Sequence, residues 1–211
     1  MNHSLNTLMS DYKMKIRGVF HIGGNIGQEA EEYHVCGIEN GIFFEPQKLP
    51  FEECLSKSKQ FGYEAYNLAL GNKSGKIEMN IAPANEGQSS SILSPVKHLE
   101  QHPDILFDRK EEVEIKTLDS FVNGCGINTD DYNFINIDVQ GYELEVFYGA
   151  KKTLESIDYI YSEINRDEVY ENCARIEDLD SFLSTYGFTR VLTDWNGEIW
   201  GEALYIREKN E

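Results

Sequence analysis

The apolar positions of the 211-residue chain fall into short runs separated by longer amphipathic stretches. GVFHI at 18–22, GIFFE at 41–45, YEAYNLAL at 63–70, NFINID at 133–138 and IDYIYSEI at 157–164 are rich in aromatic and β-branched residues and read as strands. Several are almost continuously apolar, as strands buried on both faces of a parallel sheet are. IGQEAEEYHVCGIEN, between the first two, and LPFEECLSKSKQFG, after the second, carry apolar residues at three- and four-residue spacing and read as crossover helices. The first of these helices is expected to begin near Gly27. Leu5, Leu8, Met9, Tyr12 and Ile16 also have helical spacing, so residues 1–17 are expected to form a lead-in with helical character before one domain over residues 18–211.

From residue 72 to 116 the pattern loosens. GNKSGKIEMNI suggests a hairpin turn around residues 73–75, and APANEGQSSSILSP reads as an exposed loop. The chain closes with two strand-like runs about Asn196-Gly197, a strong hairpin signal. An α/β domain follows, its parallel sheet edged by an antiparallel pair.

Composition then narrows the partners. Lys and Arg total 19 against 37 for Asp and Glu, a formal net charge of −18. That balance, with no basic cluster, disfavours nucleic acid and anionic membrane surfaces. Cys36, Cys54, Cys125 and Cys173 have no metal-ligand or disulfide-framework spacing. No run approaches the ~20 apolar residues of a membrane span, and a cytoplasmic location is expected.

Candidate chemistry begins at HIGGNIG. Gly23, Gly24 and Gly27 lie between the first strand and its helix, where the backbone must turn sharply and admit a ligand. Free N–H groups at the helix start would suit an anionic group. Glu45 ends the second strand about 20 residues on, where a carboxylate can accept from both ribose hydroxyls of an adenosine cofactor. Loop and acid leave open whether that cofactor is a nicotinamide dinucleotide or S-adenosylmethionine.

With EPQKLPFEECL, NLALGNKSGKIEM, IKTLDSF, NFINIDVQGYELEVFYGA and YIYSEIN following in order, the chain resembles the FkbM family of S-adenosylmethionine-dependent methyltransferases over roughly residues 18–206. INIDVQGYELEVFYGAKKTL carries the most specific part. The resemblance implies a Rossmann-like class I methyltransferase: a mostly parallel seven-stranded sheet with one reversed strand, a C-terminal antiparallel hairpin and helices on both faces. It implies methyl transfer from S-adenosyl-L-methionine, leaving S-adenosyl-L-homocysteine, to a hydroxyl of a carbohydrate or other small acceptor. By position, His21, Gly23, Gly24, Asn25 and Gly27 would border the methionine part, and Glu45 the ribose. Asn67, Leu68 and Ala69 would lie near the adenine, and Asp138 would face the transfer centre. His21 stands where the family normally carries Asp.

Such a transfer needs positioning and a base for the hydroxyl proton. Asp138 is the first candidate, as base or as cofactor contact; His21 and Glu163 are the others. Glu163 with Asp138 would make a proton-accepting or metal-binding pair, although no dedicated metal ligand set is assigned. Glu143, in the first turn of a helix, is explained by the helix dipole alone. Trp195 and Trp200 flank the last turn, for stacking on a sugar or for hairpin packing, and Ser89, Ser90 and Ser91 would either close over the cofactor or form a polar loop. A nucleic-acid methyltransferase and a non-catalytic cofactor binder are the alternatives.

Overall fold

The structure, a computed structural model, describes residues 3–208; residues 1, 2 and 209–211 of the expected lead-in and domain lie outside the described residues. The most apolar runs form the centre of the molecule. Every residue of β1 (Gly18–Ile22), β7 (Phe134–Ile137) and β8 (Tyr159–Asn165) is buried. β2 (Asn40–Phe44) and β3 (Glu64–Tyr66) extend the sheet on one side, and β10 (Trp200–Arg207) and β9 (Phe188–Trp195) on the other. The order is β3-β2-β1-β7-β8-β10-β9, seven strands in all. Pairing is parallel from β3 to β8, and β10 is antiparallel to both its neighbours. The expected α/β, Rossmann-like architecture with one reversed strand is therefore the observed one.

Alternate strand residues serve two cores, which is why the runs read as continuously apolar. Phe20, Ile22, Ile42, Phe44, Ile135 and Ile137 pack with α5 (Leu118–Cys125), α6 (Glu143–Tyr148) and α7 (Ile176–Ser184). On the opposite face Val19, Phe43, Phe134 and Tyr161 meet α1 (Leu5–Asp11), α2 (Ala30–Val35) and α3 (Lys48–Gln60). The lead-in thus forms a helix, with Ser4 accepting from the Thr7 backbone at its start. All four cysteines are free thiols.

Three expectations change. The run at 63–70 is not one strand: β3 ends at Tyr66, and Ala69–Leu70 forms β4 in a second, three-stranded sheet. The break falls at Asn67, whose side-chain amide donates to the carbonyls of Glu45 and Pro46, both at 2.9 Å, and draws the chain out of the main sheet. The turn at 73–75 makes no hairpin, because β6 (Arg109–Lys116) pairs between β4 and β5 (Gly75–Ile81). The loop is exposed at Pro83, Ala84, Glu86 and Gln88 as expected, but Ser89, Ser90 and Ser91 are buried, their hydroxyls bonded to His98, Gln47 and the Gln140 carbonyl.

The strand starts are tied by Asn133, which is fully buried. Its Oδ1 accepts from the Arg17 N–H at 2.8 Å, and its Nδ2 donates to the Lys15 carbonyl and to Asp158, both at 2.9 Å. Asn133→Ala strands these groups and should cost roughly 2–3 kcal/mol. Urea unfolding checks this; a loss below about 0.5 kcal/mol, the scale of an ordinary surface substitution, would show that the bonds do not bind the strands together.

Candidate active site

The carboxyl ends of β1, β2, β7 and β8 open into a cavity of about 410 Å³, the place where open α/β sheets take ligands. His21, Gly23, Asn25, Glu45, Leu68, Ala69, Asp138 and Glu163 line it. Gly24, Gly27 and Asn67 do not; they shape the turns behind it.

The glycine turn is dictated by close approach. Gly23 and Gly24 donate their N–H groups to the Phe44 carbonyl at 3.0 and 2.9 Å. Gly23 has φ +86°, and a Cβ there would overlap the Asp138 carbonyl. Asn25 (φ +42°) and Gly27 (φ +74°) also have left-handed backbones, incompatible with helix. The helix consequently starts at Ala30, three residues later than expected, and its first turn is not what faces the cavity. Asn25 has that position instead. Its N–H donates to Glu45 Oε2 at 2.9 Å and its Nδ2 to the Glu86 carbonyl at 2.9 Å, while its buried Oδ1 has no hydrogen-bond partner among the described residues.

Glu45 is 3 % exposed, and its Oε1 accepts from the Gln47 N–H at 2.7 Å. Burial pushes its carboxyl up to about 7, with the two backbone hydrogen bonds resisting. Gln47 carries the contact onward: its Nε2 donates to the Gly87 carbonyl at 3.0 Å and its Oε1 accepts from Ser90 at 2.9 Å. The loop over the cavity is clasped by the residue that caps the strand-end acid.

His21 is buried against Phe43 and Tyr33. Asn136 Nδ2 donates to the Tyr33 hydroxyl at 2.7 Å, so that hydroxyl donates to His21 Nδ1 at 2.8 Å. This bond assigns the ring proton to Nε2, which lies 3.8 Å from Glu29. Burial pulls the imidazole down to about 3; His21 is neutral, and its basic nitrogen is already engaged.

Asp138 follows β7 and is exposed to the cavity, whereas Glu143 and Glu163 are buried. Oxygens of the three carboxylates lie within 4.8 Å of one another. Gln140, held at φ +56°, donates its Nε2 to Asp138 Oδ1 and Glu163 Oε2, both at 2.6 Å. Its Oε1 accepts from Tyr170 at 2.8 Å. Glu143 accepts from the Val139 and Gly141 N–H groups at 3.0 and 3.1 Å, so it braces the Asp-Val-Gln-Gly turn beyond any effect on the helix dipole. Burial pushes Glu143 up to about 7; burial and the charge of Asp138 raise Glu163 well above the carboxylate range. Glu202, opposite Glu163 across the β8–β10 ladder, accepts from Tyr161 at 2.7 Å and also lines the cavity.

Sequence reading missed Gln47, Gln140 and Glu202. Gln140 lies inside the most specific motif, and Glu202 is the β10 partner that alternation places beside Glu163. Gln47 carries no signal until the loop at 85–91 is folded onto it.

The methyltransferase FkbM domain matches residues 21–190. Among curated proteins the chain is similar to the 2-O-methyltransferase NoeI of Sinorhizobium fredii, 29 % identical over 162 residues. The match covers 72 % of this chain and 65 % of that relative, so the chain spans about two-thirds of its length. Of solved structures, magnesium protoporphyrin IX methyltransferase of Synechocystis PCC 6803, with bound S-adenosylmethionine, superposes with a TM-score of 0.55 at 10 % identity, covering 96 % of this chain and 76 % of its own. A protein of the NADB-Rossmann superfamily from Streptococcus agalactiae gives a TM-score of 0.51 at 11 % identity, covering 100 % and 71 %. At these identities the structures establish the fold.

Glu45 gives the site a measurable pH signature. Its folded pKa of about 7 exceeds the ordinary 4.5, so the folded state binds more protons between those values and Glu45 makes stability fall as pH rises from 4.5 to 7. Glu45→Gln loses one backbone hydrogen bond at every pH but removes that slope, and should gain on the wild type by up to about 3 kcal/mol across the window. Urea midpoints of the two proteins at pH 5 and pH 7.5 test this, and parallel pH curves would contradict it.

Proposed function

We propose that this chain, which belongs to the FkbM methyltransferase family of S-adenosylmethionine-dependent enzymes, transfers a methyl group to a hydroxyl oxygen of a carbohydrate or other small hydroxylated acceptor. The observation that carries this reading is the cavity-facing Asp138, at a strand end, anchored by an amide it shares with the buried Glu163. The 2-O-methyltransferase named among the relatives supports a hydroxyl acceptor.

The residues present suit S-adenosylmethionine. Gly23, packed against the Asp138 carbonyl, brings its backbone to the cavity wall, Asn25 has a buried oxygen free for a donor, and Glu45 lines the cavity. Phe44, Leu68, Leu70, Met79 and Ile137 supply an apolar slot for a flat base. When bound, the cofactor supplies an electrophilic methyl carbon on a sulfonium. Glu45 would hold the ribose hydroxyls, and Asn25 the amino-acid end.

Asp138 takes the proton of the acceptor hydroxyl. Gln140 holds Asp138 through Oδ1 and Glu163 through Oε2, while burial disfavours charge on Glu163, which lowers the like charge opposing Asp138. An amide N–H lies between the two carboxylates where a cation would have to sit, which favours proton acceptance over metal binding for this pair. His21 orients the wall through Tyr33, its basic nitrogen engaged. A nucleic-acid acceptor is disfavoured: no Lys or Arg is among the described residues that line the cavity, and the chain carries a formal charge of −18.

Calorimetry with S-adenosylhomocysteine and product formation from labelled methyl donor with neutral oligosaccharides test the reading together. Asp138→Asn should lower kcat by about 10²–10⁴-fold while leaving S-adenosylhomocysteine affinity within about tenfold. No binding of S-adenosylhomocysteine by the wild type would sink the proposal; binding without turnover on any acceptor would favour a non-catalytic role.

A further inference from the structure

The cavity has a wall that the cofactor does not need. α4 (Lys97–Gln101), the residue after it and the turn between β9 and β10 contribute His98, Gln101, His102, Asn196 and Trp200 to the lining. Trp200 stands two residues from Glu202, hence on the same face of β10, and pairs with Asn165 just as Glu202 pairs with Glu163. This wall therefore adjoins the carboxylates of the transfer centre.

Its make-up is aromatic and amide, with no carboxylate, Lys or Arg among the residues named. Trp200 packs against the cluster of Val169, Tyr170 and Cys173, as Phe107 does. The His98 ring lies 5.3 Å from Phe107, 5.5 Å from Tyr170 and 5.1 Å from His102. Its Nε2 meets Ser89 at 2.9 Å, and its Nδ1 is buried with no hydrogen-bond partner among the described residues. Burial pulls this imidazole down to about 4, so it offers one neutral donor and one acceptor. Trp195 is different: the Arg166 guanidinium covers its ring at 3.7 Å, and it does not line the cavity.

Charge sets the second criterion. Glu29, Glu45, Asp138, Glu163 and Glu202 line the cavity, and no Lys or Arg does among the described residues. An acceptor bearing carboxylate, sulfate or phosphate would enter with no cation to receive it. A hydroxylated ring with one apolar face matches what is there, since aromatic faces take C–H surfaces while amides and imidazoles pair with hydroxyls.

We propose that α4 and the β9–β10 turn form an acceptor subsite for an uncharged sugar ring, stacked on Trp200 and hydrogen-bonded by His98, Gln101 and Asn196, which directs one hydroxyl to Asp138 and rejects anionic sugars. The proposal rests on the carbohydrate reading above and specifies it.

The test uses the full chain with labelled methyl donor and a panel of neutral oligosaccharides beside their uronic-acid and sialylated counterparts. The wild type should methylate neutral members only. Trp200→Ala should raise KM for the acceptor about tenfold, the upper value of an aromatic stacking contact, with KM for S-adenosylmethionine unchanged, and Trp200→Phe should restore most of it. Should Trp200→Ala fail to fold, Asn196→Arg on the exposed turn serves instead, and is expected to admit the uronic-acid acceptors. An acceptor KM indifferent to Trp200→Ala, Asn196→Arg without gain on anionic sugars, or equal wild-type use of charged and neutral sugars would overturn the subsite while leaving the methyltransferase reading standing. S-adenosylhomocysteine binding with no methylation of any glycan would overturn the subsite and the carbohydrate acceptor together.

Discussion

A carboxylate buried away from any cation is tolerated only where N–H groups replace its lost water, and Glu45 is the residue on which this site depends in that way. The two amides that it accepts come from different segments, Asn25 in the glycine turn and Gln47 at the start of α3. One side chain therefore fixes the end of β2 against the end of β1. Asn67 holds the same strand end from the other side, and Gln47 extends the tie to the loop at 87–90. The carboxyl stays raised to about 7 because two hydrogen bonds compensate burial only in part.

What was legible in the sequence follows from which forces are local. Strands buried on both faces leave continuous apolar runs, so the order and type of the central strands could be read from residues 18–164 directly. The glycine turn and Glu45 were legible because their spacing is set by one βαβ unit. The split at Asn67 was not, since what ends β3 is a pair of hydrogen bonds to carbonyls about 20 residues earlier. Ser89, Ser90 and Ser91 read as exposed because their hydroxyls are polar; they are buried because His98, nine residues on, and Gln47 and the Gln140 carbonyl, both distant in sequence, satisfy them. His21 illustrates the same limit: a lone imidazole suggests a base until Tyr33 and Asn136 are seen to occupy it.

The three carboxylates around Gln140 show how burial divides like groups among roles. Oxygens within 4.8 Å of one another cannot all carry charge without large mutual repulsion, and the ones that give way are those with least solvent. Glu163, buried and facing the charge of Asp138, holds a proton well above the usual carboxylate range. Glu143, also buried, accepts both backbone N–H groups of its own turn on Oε1. Asp138 alone among them is exposed, and the Gln140 amide that steadies it is steadied in turn by Tyr170. The motif Asp-Val-Gln-Gly-x-Glu thus works as one device: the Gly and the left-handed Gln turn the chain, the Glu closes the turn, and the Asp is left facing the cavity as its exposed acid. A cavity built this way is acidic and has no Lys or Arg among its described lining, which suits the cationic sulfonium of the methyl donor.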